Sequence, residues 1–233
     1  MLRLDKALAD QGVASRRELR DIIRSGRVSV NGEIEKNPER KLAPELDRIA
    51  LDGVPLSSSK THTYMMDKPL GVVCATEDAR EKTVLDLLPP ELRRLGLFPV
   101  GRLDKDTSGL LLLTNDGDLA HRVISPKSAV EKCYYAKVDG QANEEDAAAF
   151  REGLLLRDGT RCLPARLEIL GPGSCSVTVS EGKYHQVRRM LASRGLPVLE
   201  LRRIRIGGLT LDEKLGPGGW KELDPADLCR VFS

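Results

Sequence analysis

Four consecutive leucines, Leu110–Leu113, constrain the fold of this chain more than any other stretch; Gly109 precedes them and Asn115-Asp116-Gly117 follows shortly after. An apolar run of this length between turn residues fits a strand buried on both faces. Only 3% of the 233 residues are aromatic, so a core around such a strand rests on Leu, Val and Ile. The run is preceded by Gly101-Arg102-Leu103-Asp104-Lys105-Asp106-Thr107-Ser108. On residue types alone this is a turn leading into a strand, because Asp, Ser, Thr and Gly are turn formers. A calcium loop is a rival reading, with Asp104, Asp106, Ser108 and Gly109 at positions one, three, five and six of an EF-hand pattern. It fails at position twelve, where Asn115 cannot supply a bidentate carboxylate, and its flanks read as strand and turn rather than helix.

The chain from about His62 to Ser233 alternates strand-like runs with a few helices. Tyr64-Met65-Met66 and Gly71-Val72-Val73-Cys74 read as strands on either side of a Lys68-Pro69 turn. Asn143 followed by Glu144, Glu145 and Asp146 is an acidic helix start, with Gly153 at its end. Cys175 to Val179 alternates as a strand does. Val187, Met190 and Leu191 share one face of a helix over 186–194. Strands and helices without regular βαβ alternation predict an α+β fold.

Residues 1–56 read as a separate small unit: helix, helix, then hairpin. Ser15-Arg16-Arg17-Glu18 is a capping box. Leu19, Ile22 and Ile23 follow at helical spacing, while Arg17, Arg20 and Arg24 fall on another face. Alternation around Asn31-Gly32 is a hairpin signal. Residues 1–27 hold seven basic and four acidic side chains. The polar stretch 57–61 is the expected linker, and 62–233 the second domain.

The net charge of +2 does not announce a nucleic-acid binder, so local clustering carries that argument. Five irregularly spaced cysteines favour free thiols over disulfides or a zinc knuckle. The charged N-terminus and the lack of a long apolar run predict a cytoplasmic protein without a membrane partner. No Walker loop, Rossmann glycine pattern or metal-ligand cluster is present in the sequence, so neither cofactor nor metal is expected.

Two resemblances follow from these residues. Arg3-Leu4-Asp5-Lys6, Ser15-Arg16 and Gly26-Arg27-Val28 before Val30-Asn31-Gly32 together resemble the S4 RNA-binding domain. This implies docking on structured RNA through phosphate contacts, with Arg3, Lys6, Ser15, Arg16, Arg17, Arg20 and Arg27 as the RNA-binding candidates. The run from Gly101 to Gly117 resembles the signature of the RsuA-type ribosomal pseudouridine synthases. The likeness extends to the Gly207-Gly208-Leu209 segment and beyond. It implies a catalytic domain on a mixed, mainly antiparallel sheet with flanking helices. It also implies an enzyme that isomerises a uridine of 16S rRNA, at position 516, to pseudouridine. The substrate partner is then 16S rRNA or a small-subunit assembly intermediate, and the enzyme a monomer.

In this family the aspartate after Arg-Leu is catalytic, which falls on Asp104. Glu131-Lys132-Cys133-Tyr134 resembles the motif whose tyrosine stacks on the target base, here Tyr134. Glu181-Gly182-Lys183-Tyr184-His185-Gln186-Val187-Arg188 resembles the motif whose basic residue pairs with the catalytic aspartate, here Arg188. Arg102, Lys132, Lys183, His185, Gln186 and Arg189 are further RNA-contact candidates; a structural histidine is the alternative for His185. Met66-Asp67-Lys68-Pro69 departs from the family's Leu-Asn-Lys-Pro turn at Asp67. Six arginines between 188 and 205, against one acid at Glu200, suggest a phosphate-facing patch, with a solvated strand face as the alternative.

These residue types suit the reaction. Breaking the bond from ribose C1′ to uracil N1 and rejoining the base through C5 moves no net electrons and imports no group. It needs a carboxylate near C1′ in a partly dry pocket. Burial alone raises a carboxyl's pKa, and an adjacent guanidinium pulls it back down, which is why Arg188 is expected beside Asp104. Flipping the base costs a few kcal/mol, and an aromatic platform returns ~1–3 kcal/mol. Rival readings are a large-subunit rRNA synthase of the same family and a non-catalytic S4-type assembly factor. The large-subunit relatives more often carry Asn-Arg-Gln where this chain has Tyr184-His185-Gln186. The assembly factor would not need Asp104, Tyr134 and Arg188 together.

Overall fold

The computed structural model describes residues 2–10, 13–43, 46–56 and 61–233. Apart from Thr61, the expected linker 57–61 lies outside the described residues. The chain divides into two compact units. The first comprises residues 1–62 together with 88–97; the second comprises 63–87 and 98–233. The segment Leu88–Leu97 clusters with the first of these units.

In the first unit, strand β1 (Leu2–Arg3) leads into helix α1 (Leu4–Asp10), and α2 (Arg16–Arg24) follows. The capping box forms as its spacing demands: the Ser15 hydroxyl accepts from the Glu18 N–H, and the Glu18 carboxylate accepts from the Ser15 N–H. Strands β2 (Val28–Val30) and β3 (Glu33–Ile34) make the hairpin, with Val30 opposite Glu33. Asn31 and Gly32 take φ of 57° and 88°, the pair of positive angles that a two-residue hairpin turn requires. Strands β4 (Lys41–Leu42), β5 (Ile49–Leu51) and β6 (Val54–Leu56) complete the pairing; β4 joins β1, and the others form a four-stranded sheet ordered β3-β2-β5-β6. Leu4, Leu8, Leu19, Ile23, Val28 and Leu42 form the core. The short helix α3 (Pro90–Arg93) also belongs to this unit.

The second unit is built on one nine-stranded sheet. Its strands are β7 (Thr63–Lys68), β8 (Phe98–Pro99), β9 (Ser108–Thr114), β10 (Lys132–Val138), β11 (Arg166–Gly171), β12 (Ser174–Val179), β13 (Val198–Ile206), β14 (Leu209–Thr210) and β15 (Trp220–Glu222). The main path runs β11-β12-β10-β13-β9-β7-β15. Every pairing is antiparallel except β13 with β9. The expected α+β fold, with its mixed and mainly antiparallel sheet, is therefore what the chain adopts. Strand β9 sits inside the sheet, and all four leucines are fully buried. Helices α4 (Gly117–Ile124), α5 (Glu144–Glu152), α6 (Gln186–Ser193) and α7 (Pro225–Arg230) flank the sheet. Leu119 and Val123 of α4 join the leucine-rich core with Leu110 and Leu112, while Val187, Met190 and Leu191 of α6 join a second core with Ala136 and Val177. Two local expectations shift. Gly71–Cys74 makes only an isolated bridge, Val73 with Thr83, and β7 runs on through Lys68 into what reads as a turn.

The one parallel junction has a strict steric condition. Gly109 pairs with Arg203 across it and has φ of +103°. A Cβ there would lie 2.2 Å from the Arg203 carbonyl oxygen and 3.0 Å from Cγ of Arg202. Gly109→Ala is therefore expected to destabilise the second unit by about 2–5 kcal/mol, through backbone strain and overpacking together. Urea denaturation followed by fluorescence of Trp220, the single tryptophan, reads the loss as a lowered midpoint.

Candidate active site

A cavity of about 850 Å³ opens within the second unit. Its lining includes Asp104, Tyr134, Arg188, Arg203 and the segment Glu181–Arg188, so the three residues expected to act together do share one cavity. Asp104 stands on the turn that leads into β9. The turn is closed by a hydrogen bond from the Thr107 N–H to the Asp104 carbonyl, 3.0 Å. Beneath it lies Lys68, fully buried at the end of β7. Its Nζ donates to the carbonyls of Asp104 (3.0 Å), Thr107 (2.8 Å) and Pro69 (3.1 Å). Burial pulls the Lys68 ammonium below its ordinary value, while charges on Asp106 and Asp104 act in the opposite direction. The backbone thus gives the turn a fixed floor and leaves the Asp104 carboxylate, 34% exposed, facing the cavity.

Tyr134 comes from β10. A bulge skips Ile204, so that Cys133 faces Arg205 and Tyr134 faces Arg203. Arg203 is buried; its Nε donates to the Leu110 carbonyl at 2.7 Å and its Nη1 reaches the Tyr134 hydroxyl at 3.5 Å. Its Nη2 is buried and has no hydrogen-bond partner among the described residues. Lys132 lies two residues before Tyr134, also lining the cavity, with Nζ 3.2 Å from the Val123 carbonyl. Burial, with some help from Arg203, brings its ammonium down to about 8.

Arg188 is not on Asp104. Its guanidinium meets the Asp106 carboxylate at 3.0 Å and the Asp106 carbonyl at 2.7 Å. It braces the same turn one step further along. The side chain that does approach the Asp104 carboxylate is His185, with Nε2 3.4 Å from Oδ1. Gln186 is buried, and its amide bridges the Lys183 N–H and the Glu181 carboxylate; Lys183 pairs with the same carboxylate. Arg102 lines the cavity and is exposed. Arg189 does not line it and pairs with Asp158 instead. Other arginines of the 188–205 run also have carboxylate partners. Arg194 holds Asp146, Arg202 holds Asp67, and Arg205 holds Glu131 and the Gly207 carbonyl. A row of like charges in sequence has become a set of ion pairs.

In the first unit, three of the basic candidates converge. Asp5 is fully buried, and its carboxylate receives Arg3 at 2.9 Å, Arg16 at 3.2 Å and Arg20 at 3.8 Å. Lys6 and Arg17 are exposed. Arg27 is paired with Asp52 at 2.5 Å, and the Ser15 hydroxyl serves the helix cap. Burial pushes the Asp5 carboxyl up, but the hydrogen bonds from Arg3 and Arg16 outweigh it and hold the group below its ordinary value.

The model of the RNA pseudouridylate synthase family matches residues 62–193, and the S4 domain model matches residues 2–47. The chain belongs to the RNA pseudouridylate synthase family. This pseudouridine synthase is thus an isomerase carrying an S4 domain at its N-terminus. It is 42% identical to Ribosomal small subunit pseudouridine synthase A of Escherichia coli, over 99% of this chain and 100% of that protein. It is 41% identical to the uncharacterized RNA pseudouridine synthase YtzG of Bacillus subtilis, over 97% of each chain. A crystal structure of a pseudouridylate synthase superposes with a TM-score of 0.70 at 37% identity, covering 99% of this chain and all of the other.

Arg203, on the cavity lining, and Lys68 and Asp106, which hold the turn that carries Asp104, are the residues of this synthase's site that sequence reasoning did not single out. The buried position of Lys68 was hidden by the turn signal of Lys-Pro, and Arg203 by its place in an arginine-rich run. Asp5 was equally hidden, as one acid among many bases. Its folded value is depressed. The stability it contributes is therefore fully present above the ordinary aspartate value, about 3.9, and is lost as pH falls from there through the folded value. Asp5→Asn is expected to cost about 1–3 kcal/mol at pH 7, toward the lower end because its arginine partners are half-exposed. Urea titrations read on the amide NMR signals of Leu19 and Ile23 check this. The wild type should weaken below about pH 4, and the variant should lose Asp5's share of that pH dependence.

Proposed function

We propose that this synthase isomerises one uridine of 16S rRNA, at the position matching uridine 516, with Asp104 as the nucleophile. The observation that carries the reading is the Asp104 carboxylate, held on a backbone-anchored turn in the same cavity as Tyr134 and the unsatisfied Nη2 of Arg203. The carboxylate attacks C1′ as the bond to N1 breaks. The freed uracil turns, its C5 attacks C1′ and displaces the Asp104 carboxylate, which is thereby restored; C5 then gives up its proton, and N1 ends protonated. A glycal route, in which the carboxylate first takes a proton from the sugar, would use the same group.

Tyr134 supplies the stacking surface for the flipped base. The free N–H of Arg203, deep in the cavity, matches a uracil carbonyl, since a buried donor without a partner is costly until a ligand satisfies it. Lys132, with its lowered pKa, adds a cation facing the RNA backbone, and so does Arg102. Arg188 acts through the turn that it braces. His185 sits against Asp104, where the target ribose would lie.

The small-subunit assignment rests on similarity along the whole chain to Ribosomal small subunit pseudouridine synthase A, and on Tyr184-His185-Gln186 in place of Asn-Arg-Gln. We assign RNA docking to residues 1–56, through Arg3, Arg16, Arg17, Arg20 and Lys6, and the chemistry to 62–233, with 57–61 as the link. The enzyme acts as a cytoplasmic monomer. No helix among the described residues is long and apolar enough to cross a membrane.

Asp104→Asn tests the catalytic assignment. With a 16S rRNA fragment, the variant is expected to bind RNA within about threefold of wild type, because phosphate contacts supply most of the affinity, and to form no pseudouridine. Turnover at the wild-type rate would overturn it.

A further inference from the structure

Tyr184 is 76% exposed, the one aromatic side chain among the large exposed hydrophobics of the described residues. Aromatic side chains usually bury their rings, and those that stay exposed in a fixed pose at a cavity invite a partner. Tyr184 has such a pose. Its ring lies flat on His185, with centroids 3.9 Å apart and planes 17° from parallel. Its carbonyl accepts from Arg189 Nη1 at 3.1 Å, and Arg189 is itself anchored on Asp158. His185 takes a left-handed backbone conformation, φ 47°, as it caps α6. A non-glycine residue held in that region marks a place where the surrounding structure fixes the chain. One face of the phenol is therefore backed by imidazole, and the ring opens to solvent.

The position of the pair is set by its other neighbour. The same imidazole lies 3.4 Å from the Asp104 carboxylate, and both rings line the cavity. The stack thus begins beside the reacting group and leads out of it. We infer that the Tyr184–His185 stack is a binding subsite for the nucleobase adjacent to the target uridine in single-stranded RNA. This rests on the reading of Asp104 as the catalytic group. Tyr134 and Arg203 lie deeper in the cavity, facing each other, and serve the target base. Successive stacked nucleotides advance about 3.4 Å along a strand, so the neighbour of a flipped uridine falls within reach of a ring one stacking step from the imidazole. A planar, uncharged platform accepts any base through its π-face, and alanine substitution at such platforms weakens binding by about 5- to 150-fold. Arg102 and Lys183 on the cavity lining supply cations for the flanking phosphates.

The test uses the full-length enzyme and a 16S rRNA stem-loop carrying the target uridine, with an abasic nucleotide placed immediately before or after it. Tyr184→Ala is expected to raise KM about 5- to 150-fold with kcat nearly unchanged, and Tyr184→Phe, which keeps the ring, to restore most of the loss. One of the two abasic RNAs should show the same loss with wild type and no further loss with Tyr184→Ala. Unchanged KM in Tyr184→Ala, or an abasic penalty that multiplies with it for both RNAs, would overturn the subsite. Trp220 fluorescence on unfolding confirms that the variant is folded. Failure of the catalytic reading is seen separately, as activity retained in Asp104→Asn.

Discussion

The Nζ of Lys68 donates three hydrogen bonds, to the carbonyls of Pro69, Asp104 and Thr107, and the geometry of the pocket depends on them. A turn rich in Asp, Thr and Ser would ordinarily sit at the surface and sample several conformations. Here an ammonium without access to water fixes its carbonyls from below. The cost of burying that charge is offset because every one of its protons meets an acceptor. The turn that presents the Asp104 carboxylate is held through its backbone, and beside the carboxylate itself stands the His185 imidazole at 3.4 Å. Arg188 adds a second brace on Asp106, so that the turn is held by cations on two sides.

The same region explains the residue that departs from the family pattern. Asp67 is buried on β7 and pairs with Arg202 of β13 at 2.8 Å. Strand β9 lies between these two strands, so the Arg202 side chain crosses over β9. It crosses at Gly109, where a Cβ would meet its Cγ at 3.0 Å. An aspartate in place of asparagine turns that crossing into an ion pair, and the glycine next to the Asp104 turn makes room for it. The glycine, the aspartate and the arginine are one structural unit, although 135 positions separate Arg202 from Asp67.

Local signals were legible in the sequence because they are settled within a few residues. The Ser15 and Asn143 capping boxes, the Asn31-Gly32 hairpin and the buried leucine strand all formed as their patterns dictate. The cavity set was legible through a long motif: Asp104, Tyr134 and Arg188 do line one pocket. What the sequence withheld was the choice of partner for each charge. Arg188 sits on Asp106 rather than Asp104, and the six arginines of 188–205 each pair with a carboxylate or a carbonyl. Asp5 gathers three guanidiniums that read as a free basic face. Charge pairing across distant segments is decided by tertiary placement, and neither periodicity nor residue type encodes it. Gly71–Cys74 failed as a strand for a related reason: a β-prone run needs a partner strand along its length, and only Val73 finds one.

The Asp104 carboxylate, in the proposed reaction, acts on one uridine of the small-subunit rRNA. The most direct test of this is a pseudouridine map of total rRNA from cells in which the chromosomal copy carries Asp104→Asn, set against the wild-type map. One pseudouridine should vanish from the small-subunit rRNA while every large-subunit site is retained. An unchanged map, or a site lost from the large subunit instead, would contradict the account.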